Sequence, residues 1–187
     1  MNKTIILAIV GLPGAGKTEA TQYMMEKTGW PKVYFGDVTF DEMRRLELEI
    51  NETNERKTRE DLRKEHGMGA YAKLSLPKIK KALEQSPAVI VESLYSWEEY
   101  LIMKENFGND FKCLAILASP EIRMGRMLQR PTRPLRNEEE FLSRDYAQIN
   151  NSHQAGPIAR ADYFIINEGA LTDMRVKLDE LIAELKR

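Results

Sequence analysis

Residues 11–18 read Gly-Leu-Pro-Gly-Ala-Gly-Lys-Thr, a complete match to the G-x-x-x-x-G-K-[ST] spacing. The apolar run 5–10 before it is rich in β-branched residues, and a helix-permissive stretch, 19–27, follows it. Strand, glycine-rich turn and helix in that order predict a phosphate-binding loop. Glycines let backbone N–H groups turn inward around phosphate oxygens, and the helix start adds its positive dipole end. In such a loop Gly11, Leu12, Pro13, Gly14, Ala15, Gly16, Lys17 and Thr18, with the adjoining Glu19, surround the donor nucleotide. Lys17 neutralises the β/γ phosphates and the Thr18 hydroxyl holds Mg²⁺. The chain is expected to bind a nucleoside triphosphate or a close relative, with Mg²⁺.

A chain of 187 residues, 42% of them hydrophobic, suffices for one globular domain with a substantial core. Its net charge of −1 supplies no global field for nucleic acid, so any basic surface must be local. No apolar stretch approaches the ~20 residues that span a bilayer. The first apolar run leads into the phosphate loop without a small-residue cleavage site, which argues against a signal peptide. Cys113 is the single cysteine; inside an apolar run, with no disulfide partner or metal-ligand spacing, it reads as core. His66 and His153 are isolated, and His66 marks a helix end before Gly67. The expected setting is a reducing cytoplasm, and the expected state a monomer or small homo-oligomer.

Five apolar runs, 5–10, 32–35, 88–91, 112–118 and 163–166, alternate with helical patterns. Continuous rather than alternating apolar runs suit strands buried on both faces of a parallel sheet. Thr39 with Glu42, Ser96 with Glu99 and Asn137 with Glu140 have capping-box spacing or a close variant. Ser119-Pro120 starts a helix that Pro131 should stop after Arg130, and Pro77 should break or kink the stretch 69–83. Leu171, Met174, Leu178, Leu181 and Leu185 mark an amphipathic terminal helix whose stripe faces the core. The pattern predicts a doubly wound α/β sheet with ligands outside the carboxyl ends of the strands.

Two acids fall at such ends: Asp37 after the second strand and Glu92 after the third. A carboxylate there either binds Mg²⁺, directly or through water, or accepts a proton from an attacking hydroxyl. Arg126 and Arg130, four apart, are expected to share one face of the helix after the fourth strand, and Arg144 lies on the next helix. Arginines that close over a migrating phosphoryl group stabilise its charge and exclude water. Arg44, Arg45, Arg56, Arg59 and Arg63 form an earlier set, the last three at i, i+3 and i+7. That face either meets an anionic acceptor or pairs with the interspersed acids.

With these residues in view, the chain resembles the P-loop nucleoside monophosphate kinase superfamily along nearly its whole length. Within it the chain looks most like an adenylate-kinase-like or dephospho-coenzyme-A-kinase-like prokaryotic group. GLPGAGKT, YFGDV and the back half, ASPEIRMGRMLQR, SRD and ADYFIINEGAL, carry the resemblance. It implies a three-layer fold, a five-stranded parallel sheet in order 2-3-1-4-5 with helices on both faces. It also implies an acceptor lobe at about residues 38–85 and an arginine-bearing lid at about residues 126–144. Carried over by position, Lys17, Asp37, Arg126 and Arg130 are catalytic, Thr18 and Asp37 organise the metal, Asn167 and Gly169 lie near the donor base, and Arg144 contacts a phosphate. Read from their own places in the chain, Glu92 is expected to join the metal set, and Arg44, Arg45 and Glu92 to serve the acceptor with Asp37 and Arg144. Adenylate kinases follow strand three with Asp-Gly-Phe-Pro-Arg; here the stretch is Glu-Ser-Leu-Tyr-Ser, without the arginine that grips a monophosphate. The implied activity is ATP-dependent phosphoryl transfer to a small nucleotide-like acceptor. A hydroxyl acceptor of the dephospho-coenzyme A or nucleoside type is the close alternative, and an NTP-hydrolysing switch the rival of another class.

Overall fold

The computed structural model describes residues 4–187. Strand β1, Ile5–Val10, is buried along its whole length. It lies between β3, Ala88–Glu92, and β4, Phe111–Leu117, while β2, Lys32–Tyr34, and β5, Tyr163–Ile166, form the edges. Every pairing is parallel, so the expected order β2-β3-β1-β4-β5 is the observed one. Ile9 registers with Glu92 and Val10 with Ala115, which brings the three central carboxyl ends to one level.

Alternate side chains of β1 serve opposite layers, as the period of two requires. Ile6, Ala8 and Val10 pack with Tyr71, Ile79 and Tyr100, from α4, Ala70–Leu83, and α5, Trp97–Phe107. Ile5, Leu7 and Ile9 pack with Met24, Met174 and Leu178, from α1, Lys17–Thr28, and α9, Leu171–Leu185. Each such side chain withdrawn from water contributes about 1.5–3 kcal/mol before conformational entropy is subtracted. Both faces of the central strands are therefore closed, whereas Phe164 and Ile166 of the edge strand β5 stay exposed, and the central strands open onto the rim of loops at their carboxyl ends. Over that rim lie α2, Asp37–Arg45, and α3, Glu52–His66, on one side. On the other lie α6, Pro120–Gln129, and α7, Glu138–Asn150, around a small core of Met127, Leu135 and Phe141. The short α8, Ala155–Ala159, leads into β5.

Several local expectations hold. Ser96 and Glu99 form a reciprocal capping box, Asn137 accepts from the Glu140 N–H at 2.9 Å, and Ser119-Pro120 opens α6. Others are corrected. Strand β2 stops at Tyr34, and Asp37 opens helix α2 instead of closing the strand. Thr39 consequently lies inside that helix, buried, with its hydroxyl 2.8 Å from the Tyr71 hydroxyl, and caps nothing. Pro77 does not break α4. It sits on the exposed side of the helix, where the carbonyl it leaves unpaired can meet water, while Ser75 and Ile79 hold the buried side. Arg130 is past the end of α6 in extended backbone, so Arg126 and Arg130 share no helix face. Leu171 opens α9 half exposed and stands outside its buried stripe.

Candidate active site at the carboxyl edge of the sheet

The phosphate loop joins β1 to α1 through backbone that only glycine adopts easily. Gly14 has φ +83° and Gly16 has φ +107°. A side chain on Gly14 would meet the Arg123 carbonyl oxygen at 2.7 Å, and one on Gly16 would strike the Asn167 amide. The loop is thus wedged between α6 and the end of β5. Asn167 is buried and donates to the Ala15 carbonyl at 2.8 Å, so it braces the loop from beneath. Gly169 packs against the Asp173 carboxylate at the start of α9.

Arg123 is the principal residue that sequence reasoning missed. It is 3% exposed and makes a bidentate ion pair with Asp145 of α7. It also donates to the Pro13 carbonyl at 3.2 Å and the Ala118 carbonyl at 3.2 Å, and its guanidinium lies 5.3 Å from the Phe141 ring centre. Arg126 reaches the Gly14 carbonyl at 3.4 Å. Two arginines of one helix therefore hold the Pro13 and Gly14 carbonyls, while Asn167 holds that of Ala15 and the Ala15 N–H closes a turn onto the Leu12 carbonyl at 3.2 Å.

Lys17 points back into its own loop and donates to the Gly11 carbonyl at 2.7 Å. Burial pushes its ammonium down to about 8; Glu92 opposes the shift and Arg123 adds to it. Around Lys17 opens a cavity of about 450 Å³, lined by Thr18, Lys32, Glu92 and Arg130 among others. Lys32 donates to Glu92 at 2.6 Å. Gln148 and Gln154 close the far side, linked by a 2.8 Å amide hydrogen bond. No local pattern marks them in the sequence.

A second cavity of about 230 Å³ adjoins the first, under α2, α3 and α4. Tyr34, Ser93 and Tyr95 line both, so they form a common wall. Ser93 occupies left-handed backbone, φ +68°, and its hydroxyl lies 3.1 Å from that of Tyr95. A non-glycine residue held there stores strain of about 1–3 kcal/mol, which is characteristic of functional turns. Thr39, Phe40, Glu55, Arg59, Arg63, Tyr71 and Glu99 complete this second chamber. Burial pushes the Glu99 carboxyl up to about 7, against the pull of hydrogen bonds from the Tyr95 and Ser96 N–H groups.

The structure brings Lys17, Thr18, Glu92 and Arg130 together and leaves other candidates outside. Asp37, in the first turn of α2, is exposed and lines a neighbouring cleft with Lys78 and Lys81; Lys32 and Tyr34 border both that cleft and the Lys17 cavity. Arg44 and Arg45 are exposed and pair with Asp41 and Glu42, one helical turn away. Arg144 is exposed and pairs with Glu140 at 2.7 Å. Glu19 is exposed in the first turn of α1. Among the described residues, no group of three or more His, Cys, Asp or Glu side chains is arranged to hold a metal ion by itself.

A family model described as AAA domain, AAA_17, matches residues 10–141. A UPF0200 protein of Pyrococcus furiosus is 34% identical over 182 residues, which cover 96% of each chain. The chain belongs to both families. A UPF0200 protein of Methanocaldococcus jannaschii is 31% identical, covering 97% of this chain and 90% of the relative. Among solved structures, the shikimate kinase of Bacteroides thetaiotaomicron superposes with a TM-score of 0.59 at 15% identity, over 96% of this chain and 98% of that one. A gluconokinase of Sinorhizobium meliloti gives 0.55 at 12% identity, over 100% and 95%. These likenesses establish a P-loop kinase fold for this UPF0200 member. Among its described residues, no helix is long and apolar enough to cross a membrane.

Proposed function

We propose that the protein is an ATP- and Mg²⁺-dependent phosphotransferase acting on a small acceptor in the chamber next to the phosphate loop. The common wall of Tyr34, Ser93 and Tyr95 carries this reading. Two chambers that meet at one wall, with the phosphate-loop lysine on one side, suit in-line transfer between two bound molecules. A nucleotide hydrolase needs no second chamber.

Mg²⁺ fits the residues present. It binds through one or two protein oxygens, keeps several waters and takes the rest from substrate phosphates, so a closed cage of acids is not required. Thr18 and Glu92 would hold it, and it would neutralise charge developing between the phosphates. Lys17 turns from the Gly11 carbonyl to the donor phosphates, and Arg130 answers the charge on the transferring group. When the acceptor is a hydroxyl, its oxygen bonds to the γ-phosphorus as the bond to the β-phosphate oxygen breaks. ADP leaves, and Glu92, which in that case leaves the metal to Thr18, the phosphates and water, takes the hydroxyl proton. A nucleotide phosphate acceptor, already ionised, needs no base. Segments 38–85 and 126–144 act as acceptor lobe and lid in this reading, and the lone buried thiol of Cys113 suits a reducing cytoplasm.

The test is ATP turnover against a panel of nucleoside monophosphates, nucleosides, dephospho-coenzyme A and small hydroxy acids. One compound that raises turnover and appears phosphorylated supports the reading. Turnover indifferent to every compound favours the hydrolytic switch.

A further inference from the structure

The two edges of the sheet differ. Strand β2, Lys32-Val33-Tyr34, is short and carries an exposed lysine, whereas β5, Tyr163-Phe164-Ile165-Ile166, has neither charge nor proline. A free edge offers unpaired backbone groups to any second strand, and lysine or proline is a usual guard against that. The Leu117 carbonyl accepts from the Asn167 N–H at 2.7 Å, which sets the phase of the β4–β5 ladder. Ile165 therefore turns its backbone groups to β4, and Phe164 and Ile166 turn theirs to the open edge. There the Ile166 carbonyl accepts from the Lys177 ammonium at 3.1 Å. The side chains of the same two residues are 54% and 60% exposed, while Ile165 is buried.

Helix α9 returns antiparallel to β5 and flanks this edge with Lys177, Glu180 and Glu184. Lys177 stands at the Ile166 end and Glu184 at the Tyr163 end. Neither has an ion pair among the described residues.

These features select the occupant. A strand that pairs antiparallel must exchange bonds with residues whose backbone faces outward, and must keep side chains on matching faces. A second copy meets both conditions about a two-fold axis at Ile165. Phe164 then lies opposite the partner's Ile166, and Ile166 opposite the partner's Phe164, each pair exchanging backbone bonds and covering its apolar side chains. Because Lys177 and Glu184 stand at opposite ends of the strand, the same axis brings Lys177 to the partner's Glu184 and Glu184 to the partner's Lys177. An isologous contact requires this self-complementarity. Glu180, midway along the stripe, meets its own copy near the axis, which keeps the association reversible.

We propose that the protein forms a two-fold dimer by antiparallel pairing of β5 with β5 of a second copy, so that the two sheets continue as one. Phe164, Ile166, Lys177 and Glu184 line neither chamber, so the dimer stands independently of the proposed reaction.

Sedimentation velocity and hydrogen exchange on the full chain test this. The mass should rise from that of one chain toward that of two between about 1 and about 100 µM. Over the same range, exchange of the Phe164 and Ile166 N–H groups should slow ~10-fold or more. Phe164→Pro removes an N–H that β4 does not use, and should leave a folded monomer. Lys177→Glu should weaken the dimer ~10-fold or more, and adding Glu184→Lys should restore it, because opposite charges again face each other across the axis. Thermal unfolding confirms that each variant is folded. A chain still monomeric at about 100 µM overturns the proposal. So does a dimer that either Phe164→Pro or Lys177→Glu leaves intact, or a Lys177→Glu defect that Glu184→Lys does not repair.

Discussion

Arg123 and Asp145 face each other as a bidentate ion pair, almost wholly buried, with the same guanidinium donating to the Pro13 carbonyl of the phosphate loop. The pair ties α7 to the loop through α6, alongside the contacts of Arg126 and Asn167 to the same loop. Asp145→Asn leaves Arg123 charged and uncompensated in the interior, and should destabilise by ~3–5 kcal/mol. The double variant Arg123→Met, Asp145→Leu should recover most of that stability, because well-packed apolar residues often replace a buried pair without loss. Its ATP affinity should stay low, since Pro13 no longer has its donor. Denaturant titration and ATP binding, read together, check the separation; normal ATP affinity in the double variant would remove Arg123 from the positioning role.

Lys17→Ala should lose phosphoryl transfer by orders of magnitude, as among the described residues no other lysine hydrogen-bonds the loop. The fold should survive, because the Lys17 ammonium serves only backbone carbonyls of its own loop. Circular dichroism and single-turnover rates test the two halves of this statement. Retained transfer would disprove the donor assignment.

Acid placement gives a second contrast. Glu92 lines the Lys17 cavity and Asp37 does not. Glu92→Gln should cut kcat by ~10²-fold or more, while Asp37→Asn should lie close to wild type. If the acceptor is a phosphate, the Glu92→Gln defect should be partly recovered at high Mg²⁺; if it is a hydroxyl, it should not. The reverse ranking of the two variants would restore Asp37 to the site.

The pH dependence follows from Lys17. Its ammonium is lowered to about 8 from 10.5, so the charged form that attracts phosphate is complete well below 8 and lost above it. kcat/KM for ATP, which reports the free enzyme, should therefore fall as pH rises through about 8. Lys17→Arg should remove that limb. A profile flat to pH 9.5 in the wild type would contradict it.

Glu99 supplies the stability counterpart. Its folded carboxyl is raised to about 7 from 4.5, so the folded state holds a proton that the unfolded chain has released. Stability is therefore lost as pH rises from about 4.5 to 7, and the loss is complete above that. Glu99→Gln keeps an oxygen for the Tyr95 and Ser96 N–H groups but cannot ionise. Its melting temperature should match wild type near pH 4.5 and exceed it at pH 8. An equal difference at both pH values would refute the linkage.

The central strands were legible because burial on both faces writes an unbroken apolar run, and the phosphate loop because its spacing is rigid. Asp37 was misread for a physical reason. Phe35 still donates to the Glu92 carbonyl at 3.0 Å, so the apolar pattern runs past the strand while the backbone is already turning into α2. The face of Arg56, Arg59 and Arg63 was visible as periodicity. That Arg56 and Arg59 pair with acids of their own helix, while the Arg63 guanidinium lies 5.6 Å from the Tyr71 ring centre brought in by α4, depends on packing and rotamers that spacing does not encode. Arg123 and Asp145 lie 22 residues apart, and no local rule links them. Likewise, nothing in Gln148 or Gln154 announces that α7 ends at the donor cavity.

The wall made by Tyr34, Ser93 and Tyr95 belongs to both chambers, and that has a thermodynamic consequence. Any shift of these side chains on filling one chamber alters the fit of the other, and the two effects are equal: the factor by which an acceptor changes donor affinity is the factor by which the donor changes acceptor affinity. On the proposed assignment of the chambers, discrimination among acceptors would be written into nucleotide binding as well, and a titration of either molecule would read the identity of its neighbour.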